Sequence, residues 1–127
     1  MVEDFVSEVE ERVESMANHI LSAEGGERTA WLDIQRELHT LKGAAGFVGL
    51  DQFSELCHEL ETFLQGVGKG AVEASVFDVL YDACELVKSM AHNTLQCSVQ
   101  GTALARDARV PALCRRLKQV SGLASTA

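Results

Sequence analysis

Residues 31–49 read Trp-Leu-Asp-Ile-Gln-Arg-Glu-Leu-His-Thr-Leu-Lys-Gly-Ala-Ala-Gly-Phe-Val-Gly. Trp31, Ile34, Leu38, Leu41, Ala45 and Val48 recur in steps of three and four, the period of one face of an α-helix. The spacing predicts a helix over about 27–48, with Gly49 at its C-terminal cap. His39 falls near its middle, beside the apolar stripe rather than on it. Lys42 at i+3 and Gly43 at i+4 share a face with His39, and Gly46 at i+7 extends that face. Glycine inside a helix costs about 1 kcal/mol relative to alanine, so two of them next to a histidine need a reason. One reason is access, because a partner's backbone could then approach the imidazole. The other is close helix–helix packing within the chain.

The flanking stretches repeat the same period. Val2, Phe5, Val6, Val9, Val13, Met16, Ile20 and Leu21 make one face of a helix over 2–22, with Glu3, Glu8, Glu10, Glu11 and Glu14 on the other, and Gly25-Gly26 ends it. A third helix begins near Asp51, a good N-cap residue, with Phe53, Leu56, Cys57, Leu60, Phe63 and Leu64 inward, and is broken at 66–70. A fourth runs over about 72–95 on Val76, Val79, Leu80, Ala83, Leu86, Val87 and Met90. Pro111 fits the first turn of a short fifth helix over about 110–120. The expected fold is therefore all-α: an up-and-down antiparallel four-helix bundle with an additional short C-terminal helix. Residues 1–122 form one domain and 123–127 a flexible tail.

Composition narrows the function. At 127 residues the chain is the size of one domain with a real core. No apolar run approaches the ~20 residues that span a bilayer, and the acidic start Met-Val-Glu-Asp is unlike a secretion signal. A cytoplasmic protein with no membrane contact is expected. Residues 1–61 carry 14 acidic and 4 basic side chains, a balance of −10, and residues 62–127 carry 5 and 7, a balance of +2. Nucleic acid is an unsuitable partner for the acidic half. Cys57, Cys84, Cys97 and Cys114 match no zinc spacing and read as free thiols.

The turn between the second and third helices brings a site together. His39 lies ten residues before Gly49, and His58 and Glu61 lie nine and twelve after it. Antiparallel helices leaving one turn place such residues side by side. Glu61, with His58, is thus expected to reach His39. A carboxylate that accepts the Nδ1–H of an imidazole sets its tautomer and leaves Nε2 as a nucleophile. Lys42 would face an anion received there. Each residue alone reads as ordinary helix surface, and it is their joint placement that points to a histidine carrying a phosphoryl group.

His39-Thr-Leu-Lys42-Gly43-Ala-Ala-Gly46 resembles the histidine phosphotransfer (HPt) signature, His-x-x-Lys-Gly followed by a further glycine. The continuation Phe53-Ser-Glu-Leu-Cys-His58-Glu-Leu-Glu61 is similar to the N-terminal P1 domain of CheA-type chemotaxis kinases. The resemblance implies that His39 is the phosphoacceptor, Lys42 the accompanying cation and His58 and Glu61 the supporting pair, with Gly43 and Gly46 where a receiver docks. It implies phosphorylation by an ATP-dependent CheA-type kinase catalytic domain and transfer to an aspartate of a response-regulator receiver of the CheY or CheB kind. The domain itself is expected to be a monomer without a cofactor, the ATP lying on the kinase and Mg²⁺ on the receiver. The chain is expected to be part of a CheA-type kinase, with a free-standing phosphorelay protein as the alternative.

Other classes fit less well. Glu55-x-x-His58 is the inward element of di-iron bundles, but those need two copies and two further glutamates. The dimerising histidine helix of sensor kinases usually has an acidic residue after the histidine and a proline a turn later. Here Thr40 follows His39, and Pro111 is the lone proline.

Overall fold

The computed structural model describes residues 2–47, 50–67 and 72–126. They form five helices: α1 (Val2–Glu24), α2 (Ala30–Phe47), α3 (Asp51–Gln65), α4 (Ala74–Gln100) and α5 (Arg109–Thr126), with no strand among the described residues. The fold is all-α, as the periodicity indicated.

Glycine sets the two sharpest ends. Gly26 (φ 98°) and Gly101 (φ 70°) are left-handed. Glu27 N–H donates to the Ser22 carbonyl and Thr102 N–H to the Cys97 carbonyl, closing α1 and α4 with paired bonds from Gly26 to Ala23 and Gly101 to Ser98. Only a residue without Cβ takes that backbone without strain. Several boundaries depart from expectation. α2 starts at Ala30, after a turn, and Asp51 lies in the first turn of α3, with Leu50 at the cap position making no side-chain cap bond. α4 continues past 95 to Gln100, because nothing before Gly101 breaks it although its apolar stripe ends at Ala91. α5 runs to Thr126, so 123–126 continue a helix where a loose tail was expected. A single glycine, Gly122, costs only about 1 kcal/mol there. The expected cap at Val48-Gly49 and the break at 68–70 lie outside the described residues.

α1 packs on α4 and α2, α2 on α3, and α5 lies across α3 and α4. Cross-helix pairs run in opposite numerical directions. Arg12 meets Glu37 while His19 meets Asp33. His92 meets Glu10 while Tyr81 meets Glu24. The neighbours are therefore antiparallel. Two aromatic pairs span the bundle diagonally. Phe5 meets Phe53 edge-on, with ring centroids 5.4 Å apart, and Trp31 stacks on Phe77 at 5.7 Å. Val110, Leu113, Leu117 and Val120 of α5 are buried in the same core, each contributing about 1.5–3 kcal/mol. The fifth helix thus closes the side that α3 and α4 leave open.

Candidate functional site

Ile34, Leu38, Leu41 and Ala45 anchor α2 in the core. That burial turns the adjoining stripe outward, and His39 stands on it with its side chain 77% exposed. On α3, Leu60 and Leu64 are buried, which turns Glu61 toward α2 at the edge of the core. Its side chain is 16% exposed. One carboxylate oxygen, Oε2, accepts a hydrogen bond from Lys42 Nζ at 3.1 Å. The other, Oε1, is buried without a hydrogen-bond partner and lies 3.7 Å from His39 Nδ1. An unpaired buried acceptor costs about 1–3 kcal/mol, so a small closure toward Nδ1–H is favourable. His39, Lys42 and Glu61 thus form one cluster, as their spacing indicated.

His58 does not join it. The ring is exposed, and among the described residues no hydrogen bond or ion pair links it to His39, Lys42 or Glu61. The reason is angular. The stripe Leu56, Cys57, Leu60, Phe63 and Leu64 fills the core side of α3, and His58 falls to the solvent side of it. Being near the right level along the helix did not put it on the right face.

Gly43 and Gly46 are decided by their surroundings. A Cβ built on either meets nothing within 4 Å. Among the described residues they make no helix–helix packing contact, so the space beside the histidine is open. The hollow around it is lined by Leu32, Gln35, Arg36, Thr40, Glu61 and Gln65. Of these, Leu32, Gln35, Arg36 and Gln65 were not singled out from sequence. Leu32 is a large apolar side chain exposed at 56%, visible in the pattern as a leucine off the core stripe. Gln35 donates its side-chain N–H to the Leu64 carbonyl across the helix pair at 3.4 Å. Gln65 is the last residue of α3. No periodicity marks either glutamine.

Other titratable groups stand apart. His19 lies between Ser15 and Asp33, and His92 beside Glu10. Burial pushes the Cys57 and Cys84 thiols up to about 12, which makes them inert. Glu55 pairs with Arg106. Among the described residues no group of three or more His, Cys, Asp or Glu side chains is arranged to hold a metal, so the di-iron reading of Glu55-x-x-His58 has no geometric support.

Fold and site together define a class: a helical bundle that presents a carboxylate-backed histidine on an open helix face. The Hpt domain family model matches residues 1–121. The chain belongs to that family and is a phosphotransfer module of two-component signalling. It is similar to the chemotaxis protein CheA of Treponema pallidum, 35% identical over 94 residues, which are 71% of this chain and 12% of that protein. The chemotaxis protein CheA of Halobacterium salinarum is 38% identical over 76 residues, 58% of this chain and 11% of that protein. The gliding motility regulatory protein of Myxococcus xanthus is 40% identical over 60 residues, 46% of this chain and 8% of that one. The chain thus spans about a tenth of the curated relatives it matches. Its fold is shared with the phosphorylated P1 domain of CheA3 in a crystal structure with CheY6 from R. sphaeroides. The TM-score is 0.78 at 18% identity, covering 98% of this chain and 99% of that one.

Proposed function

We propose that His39 accepts a phosphoryl group from ATP on a CheA-type histidine kinase catalytic domain and passes it to an aspartate of a response-regulator receiver. One observation carries the assignment. An exposed imidazole stands with Nδ1 3.7 Å from a buried carboxylate oxygen that has no other partner. Accepting from Nδ1–H, Glu61 keeps the lone pair on Nε2 of the exposed ring. In the first step a bond forms from Nε2 to the γ-phosphorus. The phosphorus–oxygen bond to ADP breaks, and its electron pair leaves with ADP. The ring gains positive charge, which the Glu61 carboxylate supports, and Lys42 holds that carboxylate from its other oxygen. In the second step an aspartate oxygen of the receiver bonds to phosphorus, and the nitrogen–phosphorus electron pair returns to Nε2. Such transfers need positioning and charge neutralisation more than covalent help. The receiver is to bring the aspartate and its Mg²⁺, and the open strip at Gly43 and Gly46 is to admit it.

The similarity to CheA proteins over a small fraction of their length supports a domain within a larger CheA-type kinase. Its setting is proposed to be the cytoplasm, where ATP is available, and among the described residues no helix is long and apolar enough to cross a membrane.

The test is radiolabelling by a CheA-type kinase, with the product checked for acid-labile, base-stable phosphate. His39→Gln is expected to abolish the label while leaving helicity unchanged, since an exposed ring contributes little packing. A labelled His39→Gln protein would sink the assignment. Glu61→Ala is expected to slow labelling by about 10²-fold or more, and an unchanged rate would remove Glu61 from the chemistry.

A further inference from the structure

α3 carries Glu61, and its two ends are held in different ways. The first half is tied to the segment before α5. Gln52 donates to the Asp107 carbonyl at 2.9 Å and accepts from the Asp107 N–H at 2.7 Å, and Arg106 reaches Glu55. The last turn is tied to α2 by Gln35, whose side-chain N–H donates to the Leu64 carbonyl at 3.4 Å. Leu64 is three residues beyond Glu61, in the turn whose carbonyls lack partners further along the helix. Its carbonyl also accepts from the Val67 N–H at 3.1 Å, leaving its second lone pair for Gln35. On α2, Gln35 is one turn before His39 and lines the same hollow.

From this arrangement we infer that Gln35 is a positioning residue for the His39–Glu61 pair: it fixes the last turn of α3 against α2, and so sets the reach of Glu61 to Nδ1. This rests on the phosphotransfer role proposed for His39. Lys42 holds the Glu61 carboxylate from one side of the histidine, and Gln35 holds the backbone that carries Glu61 from the other. The 3.7 Å gap from Oε1 to Nδ1 is longer than a hydrogen bond, which needs about 2.7–3.2 Å. The bond forms once the two groups close by about half an ångström or more, and the placement of α3 along α2 sets the distance left to close. At 3.4 Å the Gln35 bond is long and weak, so its effect is on geometry rather than on fold stability.

The experiment uses Gln35→Met, which keeps the stem and removes the donor, and Gln35→Lys, which restores one. The tautomer of His39 is read from its side-chain ¹⁵N shifts at a pH where the ring is neutral. Phosphorylation is read with phosphoramidate, a small donor that loses ammonia as the Nε2–phosphorus bond forms and needs no docking protein. Gln35→Met is expected to lower the fraction of ring protonated at Nδ1 and to slow labelling roughly threefold to tenfold, with the melting temperature nearly unchanged. Gln35→Lys is expected to recover both readouts in part. An unchanged tautomer balance in Gln35→Met overturns the positioning role whatever the labelling rate. Failure of the unaltered protein to take label at His39 instead overturns the phosphotransfer reading, and the tautomer measurement still judges Gln35.

Discussion

At the scale of single residues, the site depends on side chains that are absent as much as on those present. Gly43 and Gly46 lie inside α2, where glycine is costly, and a Cβ at either meets open space. Gly43→Ala is therefore expected to raise stability by as much as about 1 kcal/mol through helix propensity alone. If the receiver docks on this face as proposed, the same methyl group would stand in its approach to His39. Transfer from phosphorylated domain to receiver is expected to slow, while labelling by a small donor is not. A thermal melt and a stopped-flow transfer assay check the two halves. If the variant is more stable and transfers at the normal rate, the glycines do not serve access. Glu61 makes the complementary point. Its position at the edge of the core leaves one oxygen for Lys42 and one facing His39, and a fully exposed glutamate would be too mobile to hold either.

At the scale of elements, α5 is part of the bundle, and its entry is built around Asp107. The Asp107 carboxylate accepts from the Arg109 backbone N–H at 2.9 Å, starting the helix as an Asx turn. It also takes the Arg109 guanidinium at 2.6 Å. The hydrogen bond from Arg109 holds this carboxyl below the usual aspartate range. A depressed pKa means that its stabilisation is present above the unfolded pKa and is lost as pH falls through the folded one. Asp107→Ala is expected to cost about 0.5–2 kcal/mol at neutral pH. The gap between variant and unaltered protein should narrow in acid, because the unaltered protein then loses the same interaction. Urea midpoints at neutral and acid pH measure this, and a gap independent of pH would count against the carboxylate.

At the scale of the whole molecule, one core serves all five helices, and it contains two thiols. Cys57 and Cys84 are both buried, and burial lifts each from an ordinary 9.0 to about 12. In the unfolded chain the thiols lose their protons as pH passes about 9, while in the native state they keep them until about 12. The native state then binds more protons across that window, so stability must fall as pH rises through it. Each thiol contributes at most about 1.4 kcal/mol per pH unit. A shallower decline in the Cys57→Ala, Cys84→Ala double variant, read from denaturant midpoints between pH 8 and 11, is the expected result. An identical slope would mean that other groups carry the alkaline sensitivity.

Some of this was legible in the linear chain because it depends on period and separation alone. Steps of three and four assigned the helices, Gly25-Gly26 marked the end of α1, and a short connection made α2 and α3 antiparallel. His39 and Glu61 therefore had to lie at matching levels, and they do. What period and separation lack is rotation about each helix axis, which is set by how neighbouring helices share the core. That rotation turned Glu61 inward to Lys42 and His58 out to solvent, although both stood at suitable levels. It also separated glycines that pack from glycines that leave room. The tie from Gln35 to Leu64 was illegible for a related reason. A polar side chain reaching a backbone carbonyl on another helix leaves no period in the sequence, and only the packing of α2 on α3 brings the two within reach.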